Sequence, residues 1–316
     1  MVQKITEIRS YLEKMVIGQE KLVEGLLIAL FADGHLLVEG PPGLAKTRAI
    51  KALSDCITGD FHRIQFTPDL LPADLTGTDI YRQETGVFEF QKGPLFHNLI
   101  LADEINRSPA KVQSALLEAM AEQQITVGKH SYPLPDLFLV MATQNPIENE
   151  GTYPLPEAQL DRFLLHLSLD YPSRDVEKQI LQLTRNEFLN HTIEKPNPLT
   201  EKEIMTIRHD ILNVYLENSL EDYIVDLIDA TRCPSKYDEG LGQWIELGVS
   251  PRATIALERC AKVKAYLQGR DYVSPEDIQL MVYDVLRHRL LLTYQAEASG
   301  ISKNDVIHHI IKVVAV

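Results

Sequence analysis

The sequence predicts an α/β core built on a mostly parallel five-stranded sheet, followed by an all-helical domain. Three observations carry that expectation: short apolar runs alternate with helical patterns up to about residue 188, strand signal then largely disappears, and a Gly/Pro-rich turn joins the first apolar run to a helix. The 316 residues are enough for about two cores. With 45% hydrophobic and 24% charged residues, the composition is that of a globular protein and not of a disordered one.

Residues 1–30 read as two amphipathic helices broken at Val16-Ile17-Gly18-Gln19, where Gly18 lets the backbone turn. A strand over residues 35–39 follows, then Gly40-Pro41-Pro42-Gly43 and a helical pattern from Lys46 to Cys56. Further buried strands are expected over 63–66, 99–102, 137–142 and 163–169. Two hairpins interrupt the alternation, one over 79–93 turning at Glu84-Thr85-Gly86 and one over 125–134 turning at Gly128-Lys129. The α/β part is assigned to residues 1–188, a linker to 189–199 and the helical part to 200–316. Within the last part, side chains able to cap free N–H groups mark helix starts at Thr200, Ser219 and Ser302, each with an acidic residue three positions on, and at Ser274, followed by Pro275 in the first turn. Trp244 is expected as a packing anchor in a loop between helices, and Arg287-His288-Arg289 as a solvated helix face.

Charge narrows the function. The 45 acidic residues outweigh 31 basic ones, giving a net charge of −14, and neither half of the chain is basic. Binding driven by counterion release from nucleic acid is therefore not expected, although a nucleotide site, which needs only one or two cations, is compatible. The three cysteines stand in no metal-ligand or disulfide spacing, which fits a reducing cytoplasm. Neither a signal-peptide pattern nor an apolar run long enough to span a membrane is seen, so no membrane insertion is expected.

The loop Gly40-Pro41-Pro42-Gly43-Leu44-Ala45-Lys46-Thr47 follows a strand and opens a helix, the setting of a phosphate-binding loop. There, consecutive N–H groups surround the phosphates of ATP, Lys46 reaches the β and γ oxygens, and the Thr47 hydroxyl ligates Mg2+. Ala45 stands where the pattern has glycine, which is acceptable if that residue keeps a negative φ. The second element is the apolar run that ends in Asp103 and Glu104. A parallel sheet brings this pair to the same edge as the loop, where Asp103 would hold magnesium and Glu104 would activate water. The alternative is an acidic cap for the helix that starts near Ser108-Pro109. The third is Thr143-Gln144-Asn145-Pro146 at the end of another apolar run, where Asn145 either orients water and the γ-phosphate or simply starts a turn.

Taken in order, GPPGLAKT, LILADEINRSP, MATQNP, the run LPEAQLDRF from Leu155 to Phe163, and Val249-Ser-Pro-Arg252 resemble the MoxR family of AAA+ ATPases, over about residues 17–289. The resemblance implies a P-loop NTPase core with a helical lid, and it places the chain in the clade that carries both hairpins as insertions. It also implies roles: Asn145 as sensor 1, Arg162 as an arginine finger acting on a neighbouring subunit's ATP, Arg252 as sensor 2 in either the same or the neighbouring subunit, and Ile17, Gly18 and Gln19 near the adenine. It further implies a ring, usually a hexamer, and chaperone-like work on a client protein, often one with a von Willebrand factor A domain. A metal-chelatase motor subunit, a nucleic-acid motor and a non-hydrolysing switch are the competing readings.

Overall fold

The computed structural model describes residues 2–84, 86–146, 151–189 and 193–315. Two helices, α1 (Val2–Met15) and α2 (Glu20–Phe31), open the chain. The break between them falls where expected. Gly18 takes φ +77° there, and a Cβ at that position would stand 2.1 Å from Val176 Cγ1, so both the turn and the close packing require glycine.

After α2 come β1 (Leu36–Glu39), α3 (Lys46–Ser54), β2 (Phe61–Gln65) and the short α4 (Pro72–Thr76). The first hairpin is β3 (Gly77–Arg82) with β4 (Val87–Lys92); its turn residue Thr85 lies outside the described residues. Next are β5 (Leu99–Asp103), α5 (Ala110–Glu122), the second hairpin of β6 (Gln124–Val127) and β7 (His130–Pro133), and β8 (Leu139–Gln144). Then α6 (Glu157–Leu160), β9 (Leu165–Ser168) and α7 (Arg174–Phe188) complete this part. The two hairpins are joined by their aromatic residues, Phe90 stacking on Tyr132 with ring centres 4.1 Å apart and planes 15° from parallel.

The five expected strands form one parallel sheet in the order β2-β5-β8-β1-β9. Alternate side chains supply its two faces. Leu36, Val38, Leu99, Leu101, Leu139 and Met141 pack toward α1, α2 and α3, whereas Leu37, Ile100, Ala102, Val140 and Ala142 pack toward α5. Covering on both faces explains why these strands read as continuous apolar runs. Strand β8 extends two residues beyond its apolar run, because Thr143 and Gln144 still pair with Val38 and Glu39 of β1.

The rest is mainly helical: α8 (Glu201–Leu212), α9 (Asn218–Arg232), α10 (Pro234–Tyr237), α11 (Glu239–Trp244), α12 (Pro251–Leu267), α13 (Pro275–Leu286), α14 (Tyr294–Ala298) and α15 (Lys303–Val313). Thr200 and Ser302 each form the expected capping box, and Ser274, followed by Pro275 as expected, also forms one with Asp277. Ser219 does not cap; the cap falls two residues earlier, at Glu217, and α9 begins at Asn218. The region is also not wholly helical, since β10 (Ile245–Leu247) and β11 (Leu291–Leu292) form a small antiparallel pair. Trp244 ends α11 instead of lying in a loop, and its ring meets His309 edge-on.

The run 287–289 is the clearest departure from expectation. His288 is 4% and Arg289 6% exposed, because the end of α13 docks against β9. Arg287 donates to the His166 carbonyl at 2.9 Å, and the His288 ring meets the Phe163 carbonyl at 3.1 Å. The helical part also grips α2 through Lys264 to Glu24 at 2.5 Å and through Arg208, which pairs with Asp33 and donates to the Leu30 carbonyl. One apolar cluster runs without interruption from Ile5 to Val314.

Candidate active site

The loop after β1 is held at its first residue. The Gly40 N–H donates to the Gln144 carbonyl at the end of β8, and a Cβ on Gly40 would lie 2.8 Å from the Leu169 oxygen. Gly43, with φ +84°, has open space where a Cβ would stand. Ala45 takes φ +56°, so the condition set by the sequence is not met: this alanine adopts the left-handed turn that glycine would make freely. The turn aims the start of α3 at the sheet edge, and the strain is retained inside a loop fixed at both ends.

Lys46, the first residue of α3, donates to the Gly40 carbonyl at 2.6 Å. Its pKa is pushed down by burial and back up by Asp103, Glu104 and Glu39. The three carboxylates around this ammonium are hard oxygen donors. With half-buried Thr47 beside Lys46, that donor set fits Mg2+.

On one side of the loop is a cavity of about 400 Å³ lined by Ile17, Gln19, Pro42, Leu44, Ala45 and Tyr171. A flat, mostly apolar base fits it, and Gly43 also borders it. Gly18 does not line this cavity, and its contribution is the turn described above.

On the other side is the acidic pair. Strand register aligns Gln65 with Asp103 and Ala102 with Ala142, so the neighbours of the pair come from β2 and β8. Arg63 pairs with Asp103 at 2.6 Å, and Gln65 donates to Glu104 Oε2 at 2.7 Å. Arg107 reaches the same Glu104 oxygen at 3.2 Å. The Thr143 hydroxyl donates to Asp103 Oδ1 at 2.6 Å and accepts the Glu104 N–H at 2.9 Å. Glu104 itself has φ +57°, an uncommon value for a residue with a side chain, which turns its carboxylate out of the strand direction. Asn145 lies buried just beyond β8, 8% exposed. The sequence did not single out Arg63, Gln65, Arg107 or Thr143. For Arg63 and Gln65 the available signal was alternation about buried Ile64, which puts both on one face of β2, but β2 becomes a neighbour of β5 only through the sheet order.

Arg162 and Arg252 are brought together elsewhere. They line a separate cavity of about 250 Å³ with Asp33, Asp161, Arg259 and Arg289, and no residue of the loop 40–47 borders it. Arg162 donates to the Leu117 carbonyl. Arg252, half exposed, lies 3.9 Å from Asp161.

Together, the parallel sheet order, the loop opening α3 and the acidic end of β5 define a P-loop nucleotide-binding core with a helical lid. Comparison with known proteins agrees. Residues 35–165 match the ATPase family associated with various cellular activities, and residues 242–310 match the AAA lid domain. The chain is 44% identical to Chaperone MoxR1 of Mycobacterium tuberculosis, over 96% of this chain and 80% of that protein. It is 45% identical to the uncharacterized protein YeaC of Bacillus subtilis, over 97% and 92% of the two. A crystal structure assigned as that of an ATPase from Cytophaga hutchinsonii superposes with a TM-score of 0.92 at 49% identity, covering 99% of this chain and 95% of that one. The protein thus belongs to the MoxR family of AAA+ ATPases. Among the described residues no helix is long and apolar enough to cross a membrane.

Proposed function

We propose that the protein is a Mg2+-dependent ATPase that works as a ring, remodelling or activating partner proteins, with each active site completed by a neighbouring subunit. The observation that carries this reading is the separation of the two halves of the machinery. Loop 40–47 and the pair Asp103 and Glu104 form one half, while Arg162 and Arg252 converge on a different cavity around Asp161. That grouping supports Arg252 acting with Arg162, in trans, on the ATP of an adjacent copy.

In this reading the base enters the cavity beside Ile17 and Gln19, and Lys46 leaves the Gly40 carbonyl for the β and γ oxygens. Glu104 takes the proton of the attacking water, and Asn145 orients that water against the γ-phosphate. Thr47 and Asp103 would hold Mg2+, which would supply positive charge to neutralise the phosphates. The net charge of −14 argues against a nucleic-acid motor, and the chaperone name of the Mycobacterium tuberculosis relative supports remodelling of a client protein. A client with a von Willebrand factor A domain and a hexameric ring belong to the same proposal.

The test is complementation. Arg162→Ala and Glu104→Gln should each hydrolyse ATP at least ~10²-fold more slowly than wild type when assembled alone. Mixtures should recover activity, because an intact arginine from one subunit then meets an intact Glu104 in the next. Failure to recover at any ratio would count against a shared site.

A further inference from the structure

Arg289 is nearly inaccessible, with its side chain 3% exposed, and it touches neither the nucleotide loop nor the acidic pair. Its guanidinium donates to Asp161 Oδ1 at 2.8 Å, to the Phe163 carbonyl at 2.5 Å, to the Asp161 and Leu164 carbonyls at 3.3 Å, and to Val285 within its own helical region. A planar fork with acceptors on several sides fixes the backbone on which they sit. That backbone is residues 161–164, which includes Arg162.

The other oxygen of Asp161 meets the start of α12. Asp161 Oδ2 accepts the Ser250 hydroxyl at 2.8 Å and stands 3.9 Å from Arg252. Ser250 is the cap of α12 and accepts the Arg252 N–H at 3.1 Å. One carboxylate therefore binds the cap that carries Arg252 and lies next in the chain to Arg162, while Arg289 holds that carboxylate in place. Half-buried Arg162, which donates to the Leu117 carbonyl, rises from the α/β core and exposed Arg252 from the lid, so Asp161 is the group that relates one to the other.

We propose that Arg289, acting through Asp161, is a positioning residue that sets Arg162 and Arg252 at a fixed separation for the nucleotide of the adjacent subunit. The proposal rests on the trans reading given above. It assigns Arg289 no contact with ATP, so its loss should leave the subunit able to bind and activate its own nucleotide but unable to serve its neighbour.

The experiment uses the full chain with Arg289→Met and, separately, Asp161→Asn, each assayed alone and mixed with Glu104→Gln, with Arg162→Ala as the reference donor-defective variant. Expected for both is a kcat roughly 10²-fold lower, since displacement of an aligned group by about 1 Å is enough for that loss, with KM for ATP unchanged. Mixing with Glu104→Gln should restore turnover as it does for Arg162→Ala. Should Arg289→Met not fold, Asp161→Asn decides alone, because it keeps the shape and removes only the charge facing Arg289 and Arg252. Wild-type kcat in Asp161→Asn would overturn the proposal. So would a loss of activity that Glu104→Gln does not rescue while Arg162→Ala is rescued, since the defect would then not lie on the donor side. If Arg162→Ala also goes unrescued, the shared-site reading itself falls, and the positioning role with it.

Discussion

The hydroxyl of Thr143 bridges the two acidic residues at the end of the neighbouring strand, donating to Asp103 Oδ1 at 2.6 Å while accepting the Glu104 N–H at 2.9 Å. It thereby ties the metal-binding candidate to the backbone of the base candidate, at the point where Glu104 adopts φ +57°. Thr143→Val preserves the shape of this residue and removes both bonds, leaving the Glu104 N–H without its acceptor. A loss of about 1–3 kcal/mol in folding stability and a fall in kcat larger than any change in ATP affinity are expected. Urea unfolding and steady-state kinetics measure the two. Wild-type values in both would show that the bridge sets neither property.

Lys46 lies among Asp103, Glu104 and Glu39. In Lys46→Ala those carboxylates lose their shared cation and repel a triphosphate, so ATP affinity should fall by at least ~10-fold, the effect of losing one charge-assisted bond of about 1.5–3 kcal/mol. Calorimetric titration with ATP reads this directly. Unchanged affinity would remove the phosphate-loop assignment.

Ala45 offers a test in the opposite direction. Its φ of +56° is strained by about 1–2 kcal/mol relative to glycine, while glycine gives back about 0.4–1 kcal/mol through a more flexible unfolded chain. The difference favours Ala45→Gly by up to about 1.6 kcal/mol, seen as a higher urea midpoint with ATP binding retained. A clearly lower midpoint would mean that the alanine methyl contributes packing that outweighs its strain.

His35 is buried, and burial pushes its pKa down to about 4. Geometry gives the same direction, because the Val140 N–H donates to Nδ1 at 3.1 Å, which requires an unprotonated acceptor there. The folded state therefore binds fewer protons than the unfolded state between the ordinary value of 6.5 and about 4. Stability should be complete above that window and fall as pH drops through it, by up to about 3 kcal/mol. His288, also buried, acts in the same direction. A denaturation series from pH 7 to 4.5 should show a smaller decline in His35→Gln than in wild type; an equal decline would assign the acid sensitivity to other groups.

What could be read from the sequence was local. Gly40 to Thr47, the strand ending at Asp103 and Glu104, the turn at Gly18 and both hairpins each declare themselves within a few residues, because strand, loop and cap chemistry act over that range. The tertiary structure alone decided the partners. Sheet order brings Arg63, Gln65 and Thr143 to the acidic pair across about 40 residues of chain, and lid docking brings Arg289 to Asp161 across 128. It also reversed the reading of Arg287-His288-Arg289. A guanidinium surrounded by carbonyl oxygens has the same local pattern as one in water, and only the packing of α13 on β9 provides those oxygens. The fold class thus followed from periodicity, which the chain carries everywhere along its length. The grouping of Arg162 with Arg252 followed from contacts between segments that periodicity does not encode.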